Sequence, residues 1–337
     1  MEDDGMREPE NQGITERGGE LPAGYAERAP RMADPDRVVA LIAACEVADE
    51  GNAEITRDDL RGSWDRPRFT LERDAWVVET AGGTPAAYGD VWPREDYAHV
   101  ECDGYVHPEH RGRGIGRWLV RTMERRAGEM AREAATGTEV LLRTAVYAGA
   151  REACELFESE GFVPGRHFWR MVIDLREPAP EPEWPAGVTA RTFEPGDEAE
   201  VHALIQEAFS DNHRHVHTGL VDWQSAMMDR ESFDPEQWFL AVAGGRIVGA
   251  ALCPHYPEQG WVRQLGVARD WRGKGVGTAL LRRAFKEFAR RGKPHAGLVV
   301  DSYNRSGAQR FYLSVGMRIE REHQEYEKTV GKLEVGG

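Results

Sequence analysis

Two six-residue turns in this chain are built from the same parts, Arg111-Gly-Arg-Gly-Ile-Gly116 and Arg272-Gly-Lys-Gly-Val-Gly277. Glycines at alternate positions let a backbone approach a ligand closely and aim successive N–H groups into one concavity. A helix starting at such a turn adds the positive end of its dipole, so the assembly suits a pyrophosphate. Arg111, Arg113, Arg272 and Lys274 could pair with phosphate oxygens. An ordinary strand-to-helix turn uses the same glycines, so the turn alone leaves both readings open. Neither turn ends in the Gly-Lys-Ser/Thr of a nucleoside-triphosphate loop. Neither follows a first, N-terminal strand, as a dinucleotide fingerprint must.

Other chemistry-bearing residues fall around these turns. Asn304-Arg-Ser-Gly-Ala308 and Tyr312 lie about 30 residues after the second turn, followed by Gly316-Met317. His213, His215 and His217 alternate in Asp211-Asn-His-Arg-His-Val-His217, which could be a pH-sensitive substrate contact, a metal site or a polar loop. No Cys or spaced carboxylate accompanies them, so no metal is expected. Glu101 and Asp103 flank Cys102; strand alternation puts both carboxylates on one face, lining a cleft or facing solvent. Met227, Met228, Trp223, Phe233 and Trp238 read as core. No Ser-His-Asp or Cys-His grouping stands at a strand end, so a covalent nucleophile is not expected. Cys45, Cys102, Cys154 and Cys253 show no CxxC spacing, which argues against a zinc site or a disulfide framework.

The elements that must position these residues occur twice. Gly24-Tyr-Ala-Glu-Arg28 matches Gly187-Val-Thr-Ala-Arg191 at an offset of 163. The apolar run Val38–Cys45 lies over Val201–Ala208 at the same offset. Trp76 before Gly82-Gly83 matches Trp238 before Gly244-Gly245 at 162, and the two turns match at 161. Each copy reads as a short strand, an amphipathic helix, a polar region and two strands joined by a Gly-Gly turn. A further strand, the Gly-rich turn with its long helix, a strand, a short helix ending at Gly161 or Gly316, and a last strand follow. Such alternation predicts an α/β fold with a mixed sheet. Residues 1–21 are expected to be a disordered acidic tail, since residues 1–20 carry seven acidic and two basic side chains. The halves span 22–175 and 187–330, joined by a stiff Pro/Glu linker at 176–186 and followed by a tail at 331–337.

Composition narrows the function. The 337 residues, 40% apolar, suffice for two packed domains. Forty-three Lys+Arg against 58 Asp+Glu give a net charge of −15, which argues against nucleic-acid or membrane-surface partners. The longest uninterrupted apolar run is eight residues, far short of a membrane span, and the N-terminus opens on acids where a signal peptide would carry basic residues. A cytoplasmic protein, monomer or homodimer, is expected.

In its order of elements the chain resembles the GNAT acyl-CoA-dependent N-acyltransferase superfamily. The resemblance rests on strand–Arg-x-x-Gly-x-Gly–helix, then Asn-x-x-x-Ala-x-x-x-Tyr and Gly-Met in the second half, and covers nearly the whole folded chain. It implies two tandem GNAT domains, each a mixed, splayed β-sheet flanked by helices, an architecture shared by mycothiol synthase. It further implies acetyl transfer from acetyl-CoA to a primary amine of a small molecule, directly and in the second half. Leu265, Gly266 and Val267 would pair with pantetheine and polarise the thioester carbonyl. Arg272, Gly273, Lys274, Gly275, Val276, Gly277 and Thr278 would cradle the pyrophosphate, Asn304 would touch the CoA arm, and Tyr312 would protonate the leaving thiolate. In the first half, Val106 and Arg111, Gly112, Arg113, Gly114, Ile115 and Gly116 keep the CoA-binding pattern. Gly149 and Phe157 replace Asn and Tyr there, so catalysis is lost. The base of mycothiol synthase, a Glu on the fourth strand, falls at Trp261 here; Glu258, His255 or a water relay could substitute. His213 and His215 would wall the acceptor site. Acetylation of a cysteinyl aminoglycoside, as in mycothiol synthase, is an alternative, and a non-catalytic acyl-CoA sensor or scaffold is another.

Overall fold

The computed structural model describes residues 19–94, 97–133, 139–177, 180–211, 217–303 and 307–332. The first half runs β1 (Tyr25–Arg28), α1 (Pro35–Glu50), α2 (Arg57–Trp64), α3 (Leu71–Asp74), β2 (Ala75–Thr80), β3 (Pro85–Pro93), β4 (His99–Val106), α4 (Ile115–Met130), β5 (Glu139–Tyr147), α5 (Arg151–Ser159) and β6 (Val163–Asp174). The second runs β7 (Val188–Thr192), α6 (Glu198–Phe209), α7 (Leu220–Met227), β8 (Trp238–Ala243), β9 (Arg246–Leu252), β10 (Gly260–Trp261), β11 (Gln264–Val267), α8 (Val276–Arg290), β12 (His295–Asp301), α9 (Ala308–Ser314) and β13 (Arg318–Lys332).

The duplication read from the sequence extends to side-chain bonds. Arg28 forks onto Asp34, while Asp34 also accepts the Arg31 N–H at 2.7 Å. Arg191 forks onto Asp197, which accepts the Glu194 N–H at 2.8 Å. Both pairs stitch the first strand to the start of the first helix. The long helices α4 and α8 bury residues at helical spacing, Ile115, Leu119, Met123 and Met130 in one and Val276, Leu280, Ala284 and Phe288 in the other. Each covers one face of its sheet. Trp223, Met227 and Trp238 lie in a buried aromatic core with Phe233 packed against it, as their types suggested.

The last strand of each half departs from the simple reading. The sheet order is β1-β2-β3-β4-β5-β13-β6-β12-β10, with β11-β9-β8-β7 forming a second sheet. The final strand of the chain, β13, therefore inserts beside β5 of the first half, and β6 of the first half pairs with β12 of the second. The halves exchange their terminal strands and meet along the β6–β13 pair. Pairing requires only a free edge in register, and the two strands offer the same kind of edge. The Pro/Glu linker is strapped to α8 by Lys286–Glu181 at 2.6 Å and Arg282–Glu183 at 3.2 Å. No helix among the described residues is long and apolar enough to cross a membrane.

Candidate active site

In the second half the fourth strand splits between two sheets. Gly260 and Trp261 pair in parallel with Ala296 and Gly297, whereas Gln264–Val267 pair with β9. The switch falls between neighbours: Val262 donates to the Gly297 carbonyl and Arg263 to the Leu252 carbonyl, both at 3.0 Å. Beyond that point a wedge opens between β11 and β12. Ala268 donates to Val248 on β9, so strand alternation turns Gly266 toward β9 and leaves the N–H and C=O of Leu265 and Val267 on the wedge side. In the first half β4 and β5 pair only over His99–Glu101, then diverge, leaving Val106 at the matching edge.

The Gly-rich turns have matching backbones. Gly273 and Gly275 take φ of 71° and 91°, and Gly112 and Gly114 take 71° and 88°. These left-handed angles favour glycine, and a Cβ at Gly273 or Gly275 would meet nothing within 4 Å, so the cradle is open. Gly275 caps α8 without a side-chain bond. Among the described residues, no group accepts from the N–H groups of Gly273 through Thr278. Six unsatisfied donors at a helix start fit a pyrophosphate. The side chains are disposed otherwise. Arg272 binds Asp211, the Val267 carbonyl and the Ala208 carbonyl, so it pins α6 to β11. Arg111 likewise forks onto Asp49 with both bonds at 2.7 Å. Arg113 donates to Tyr25 and the Glu109 carbonyl, and Lys274 lies 5.0 Å from the Trp271 ring. The cradle is thus backbone, with Lys274 the most adaptable cation beside it. In the first half Pro22 lies 3.6 Å from where a Cβ on Gly114 would sit, so the segment just before β1 leans on that turn.

Tyr312 and Phe157 occupy one position in the two halves. Met317 donates to the Tyr312 carbonyl at 3.1 Å and Phe162 to the Phe157 carbonyl at 3.0 Å, after Gly316 and Gly161 end their helices at φ of 94° and 83°. Tyr312 is half-buried beside Phe311, its hydroxyl has no partner among the described residues, and burial pushes it up to about 12. Phe157 packs between Phe162 and Tyr326 and has no hydroxyl to offer. Ile115 is buried in the first core, and Gly116 and Gly277 admit Leu156 and Phe311 close to their helices. Asn304, His213 and His215 lie outside the described residues.

On the acceptor side, Trp261 packs against Gly297 and under the Arg170 guanidinium, 4.8 Å from its ring, and carries no basic group. His255 is exposed and bonded through Nδ1 to Gln237, and Glu258 is exposed. A third arrangement involves Tyr256, which donates to Asp59 at 2.9 Å and receives from Arg263 at 2.9 Å, joining α2 of the first half to the fourth strand of the second. Trp223 of α7 reaches Gln264 at 3.4 Å. These contacts bridge the halves, and helical and strand periodicity carries no signal for them. In the first half Glu101 and Asp103 do not simply face solvent. Burial raises both pKa values, and Asp103 stands opposite the buried Asp90, which the sequence reading missed. The clue available was Asp90 itself, a lone acid in a strand of otherwise apolar or aromatic residues. Among the described residues no group of His, Cys, Asp and Glu is arranged to hold a metal.

Comparison with known proteins agrees with this geometry. The model of the acetyltransferase (GNAT) family matches residues 198–317, and that of an acetyltransferase (GNAT) domain matches 72–164. A mycothiol acetyltransferase of Streptomyces bingchenggensis is 32% identical over 287 residues, 82% of this chain and 87% of the relative. One from Thermobifida fusca is 32% identical over 85% of this chain and 92% of its own. The crystal structure of a GCN5-related N-acetyltransferase from Sphaerobacter thermophilus is 36% identical, with a TM-score of 0.79 over 94% of this chain and 99% of that one. A tandem GNAT protein from the clavulanic acid pathway, 19% identical, shares the fold with a TM-score of 0.68 over 91% of this chain and 99% of its own. With a wedge and a glycine cradle in each half, and relatives aligned along most of its length, this chain belongs to the GNAT acetyltransferase family.

Proposed function

We propose that the second half, residues 187–330, performs direct acetyl transfer, and that the first half, 22–175, is a catalytically silent duplicate that holds the acceptor side in place. Transfer of an acetyl group to an amine follows from membership of the family; its location in this chain is our reading. The observation that carries it is the Tyr312–Phe157 pair: equivalent positions, with a hydroxyl in one half alone.

Acetyl-CoA fits the second wedge, its pyrophosphate on the free N–H groups of Gly273–Thr278 and its pantetheine along Leu265–Val267. The neutral amine attacks the thioester carbonyl, forming the C–N bond. Charge developing on the carbonyl oxygen is met by the Leu265 N–H, an interaction of about 3 kcal/mol where such donors have been measured. As the C–S bond breaks, Tyr312 gives its proton to the thiolate, and the proton lost by the amine returns to solvent, which reprotonates Tyr312. Asn304 would hold the CoA arm. For proton removal, Glu258, His255 or a water relay would serve. The names of the relatives make a small-molecule amine the acceptor to test first, a cysteinyl aminoglycoside among them. Because acetyl-CoA is a metabolite of the cytoplasm, we expect the enzyme there, as a monomer or homodimer, with no metal.

The test is CoA release over a panel of amines, read with a thiol reagent. Turnover that falls on Tyr312→Phe supports the assignment. Turnover unaffected by Tyr312→Phe would overturn the assignment, and acetyl-CoA binding without turnover would favour a sensor.

A further inference from the structure

We propose that the side-chain amide of Gln264 selects the acceptor, its free N–H groups binding an uncharged oxygen, carbonyl or hydroxyl, that the acceptor carries close to its amine. This rests on the reading that transfer occurs in the second half.

Gln264 stands where the fourth strand changes sheets. It pairs with Leu252, and Arg263 also donates its N–H to the Leu252 carbonyl at 3.0 Å, so two residues stand against one. Such a bulge re-aims side chains. Arg263 turns to Tyr256, and Gln264 turns to Trp223 of α7. Gly266 shares that side of the strand, since a Cβ there would meet Ile205 and Ala208 of α6. Leu265, between them, packs into the core that α8 covers and keeps its N–H on the wedge. The amide of Gln264 therefore lies on the face opposite α8, one residue from the N–H that meets the thioester oxygen.

The amide is oriented. Trp223 Nε1 lies 3.4 Å from Gln264 Oε1, and an indole N–H only donates, so the oxygen is the atom held. Trp223 is itself fixed, 3% exposed, with the rings of His202 and Trp238 centred 5.5 and 5.7 Å from its own. The amide nitrogen keeps two N–H groups that meet no acceptor among the described residues, and it stays within reach of solvent. With one end anchored, the half-buried side chain has little rotamer freedom left to lose when an oxygen binds. Donors placed on the amine nitrogen itself would tie up the lone pair that must attack, so the oxygen they suit belongs to a neighbouring atom. The first half differs at this position. Asp103 stands opposite Asp90 there, as Gln264 stands opposite Leu252, and a carboxylate offers no donor. The half that carries Tyr312 is the half that carries the amide.

The test compares propylamine, ethanolamine and glycinamide as acceptors, with kcat/KM referred to the neutral amine because the three differ in basicity. The expected result is a kcat/KM for ethanolamine or glycinamide at least about fivefold above propylamine, the value of one neutral hydrogen bond. Which of the two leads distinguishes hydroxyl from carbonyl. Gln264→Glu keeps an oxygen for Trp223 and removes the N–H donors; Gln264→Met removes both at similar length. Each should erase the preference through KM for the oxygen-bearing acceptor, leaving KM for acetyl-CoA unchanged. Equal use of all three acceptors by the wild type, or a preference that survives both variants, overturns the inference while leaving acetyl transfer intact. A fall in kcat shared by all three acceptors would make Gln264 a second donor to the thioester oxygen, and overturns it too. If none of the three is turned over, calorimetric titration of the CoA-saturated protein with glycinamide decides. Binding heat lost in Gln264→Glu supports the contact, and heat that is absent or unchanged in the variant overturns it.

Discussion

Arg272 Nη1 lies 2.8 Å from Asp211 Oδ2, and the same guanidinium reaches the carbonyls of Val267 and Ala208. Arg111 does the same work on Asp49 and Val106 in the first half. The arginine that opens each Gly-rich turn therefore anchors the first helix of its half to the wedge strand, and phosphate binding falls to the backbone. If so, Arg272→Gln and Asp211→Asn should each weaken acetyl-CoA binding several-fold, and the double variant should be no worse than either alone. Equilibrium binding of acetyl-CoA measures this cycle. Additive losses would instead make Arg272 a phosphate ligand.

Tyr312 should titrate late. Its pKa, raised to about 12 by burial, keeps the phenol protonated throughout the working range, so a proton is available to the thiolate at neutral and mildly alkaline pH. Tyr312→Phe should lower kcat by about 10²–10³-fold with little change in acetyl-CoA KM, as expected for loss of a general acid. The wild-type pH–rate profile should show no alkaline decline attributable to this group below about pH 11, one unit under that value. A kcat unchanged in the phenylalanine variant would return Tyr312 to the core.

The sequence made the duplication readable because Arg28 and Arg191, and the two glycine turns, recur at nearly constant offsets. The splay between the fourth and fifth strands was readable through family resemblance, whereas the stretch Gly260–Val267 read as one strand and is broken between Val262 and Arg263. What escaped has a common cause. Tyr256 on Asp59 and Arg272 on Asp211 are contacts between residues far apart in sequence, with no periodicity to announce them. Strands β6 and β13 looked alike because alternation reports which face a side chain takes and says nothing about which neighbour an edge selects. Glu101 and Asp103 were placed together on one face of a strand, but the pairing that sets Asp103 opposite a buried Asp90 was not visible.

Asp90 and Asp103 stand opposite one another across β3 and β4, with Tyr88 donating to Asp90 at 2.8 Å and Trp64 to Tyr88 at 2.9 Å. Burial, and then the neighbouring carboxylate, raise the pKa of Asp90 above its usual 3.8. A carboxyl raised in the folded state contributes stability below its unfolded value and loses it as pH rises through its folded one. Asp90→Asn keeps the acceptor for Tyr88 and removes the charge. Its stability relative to wild type should be near zero at pH 4 and grow to on the order of 1–2 kcal/mol in favour of the variant at pH 8. Denaturant melts at the two pH values read this directly, and a difference independent of pH would mean that Asp90 ionises freely.

The exchanged strands should make the halves inseparable. Residues 1–186 alone would expose the β5 edge that β13 covers and strip β6 of its partners on both sides, β13 and β12. Unpaired edges of that length seek other chains, so the isolated fragment is expected to aggregate or to dimerise through β6. Residues 187–337 alone would lack β6 between β12 and β13, losing the pairing that carries α9 and Tyr312 against the wedge. Co-expression of the two pieces should restore a one-to-one complex with transferase activity, because each supplies the strand the other is missing. Size-exclusion chromatography with CoA release distinguishes the outcomes. A first piece that is monomeric and unfolds cooperatively by itself would mean that its sheet closes without β13, and the exchange would then be an accessory to the fold.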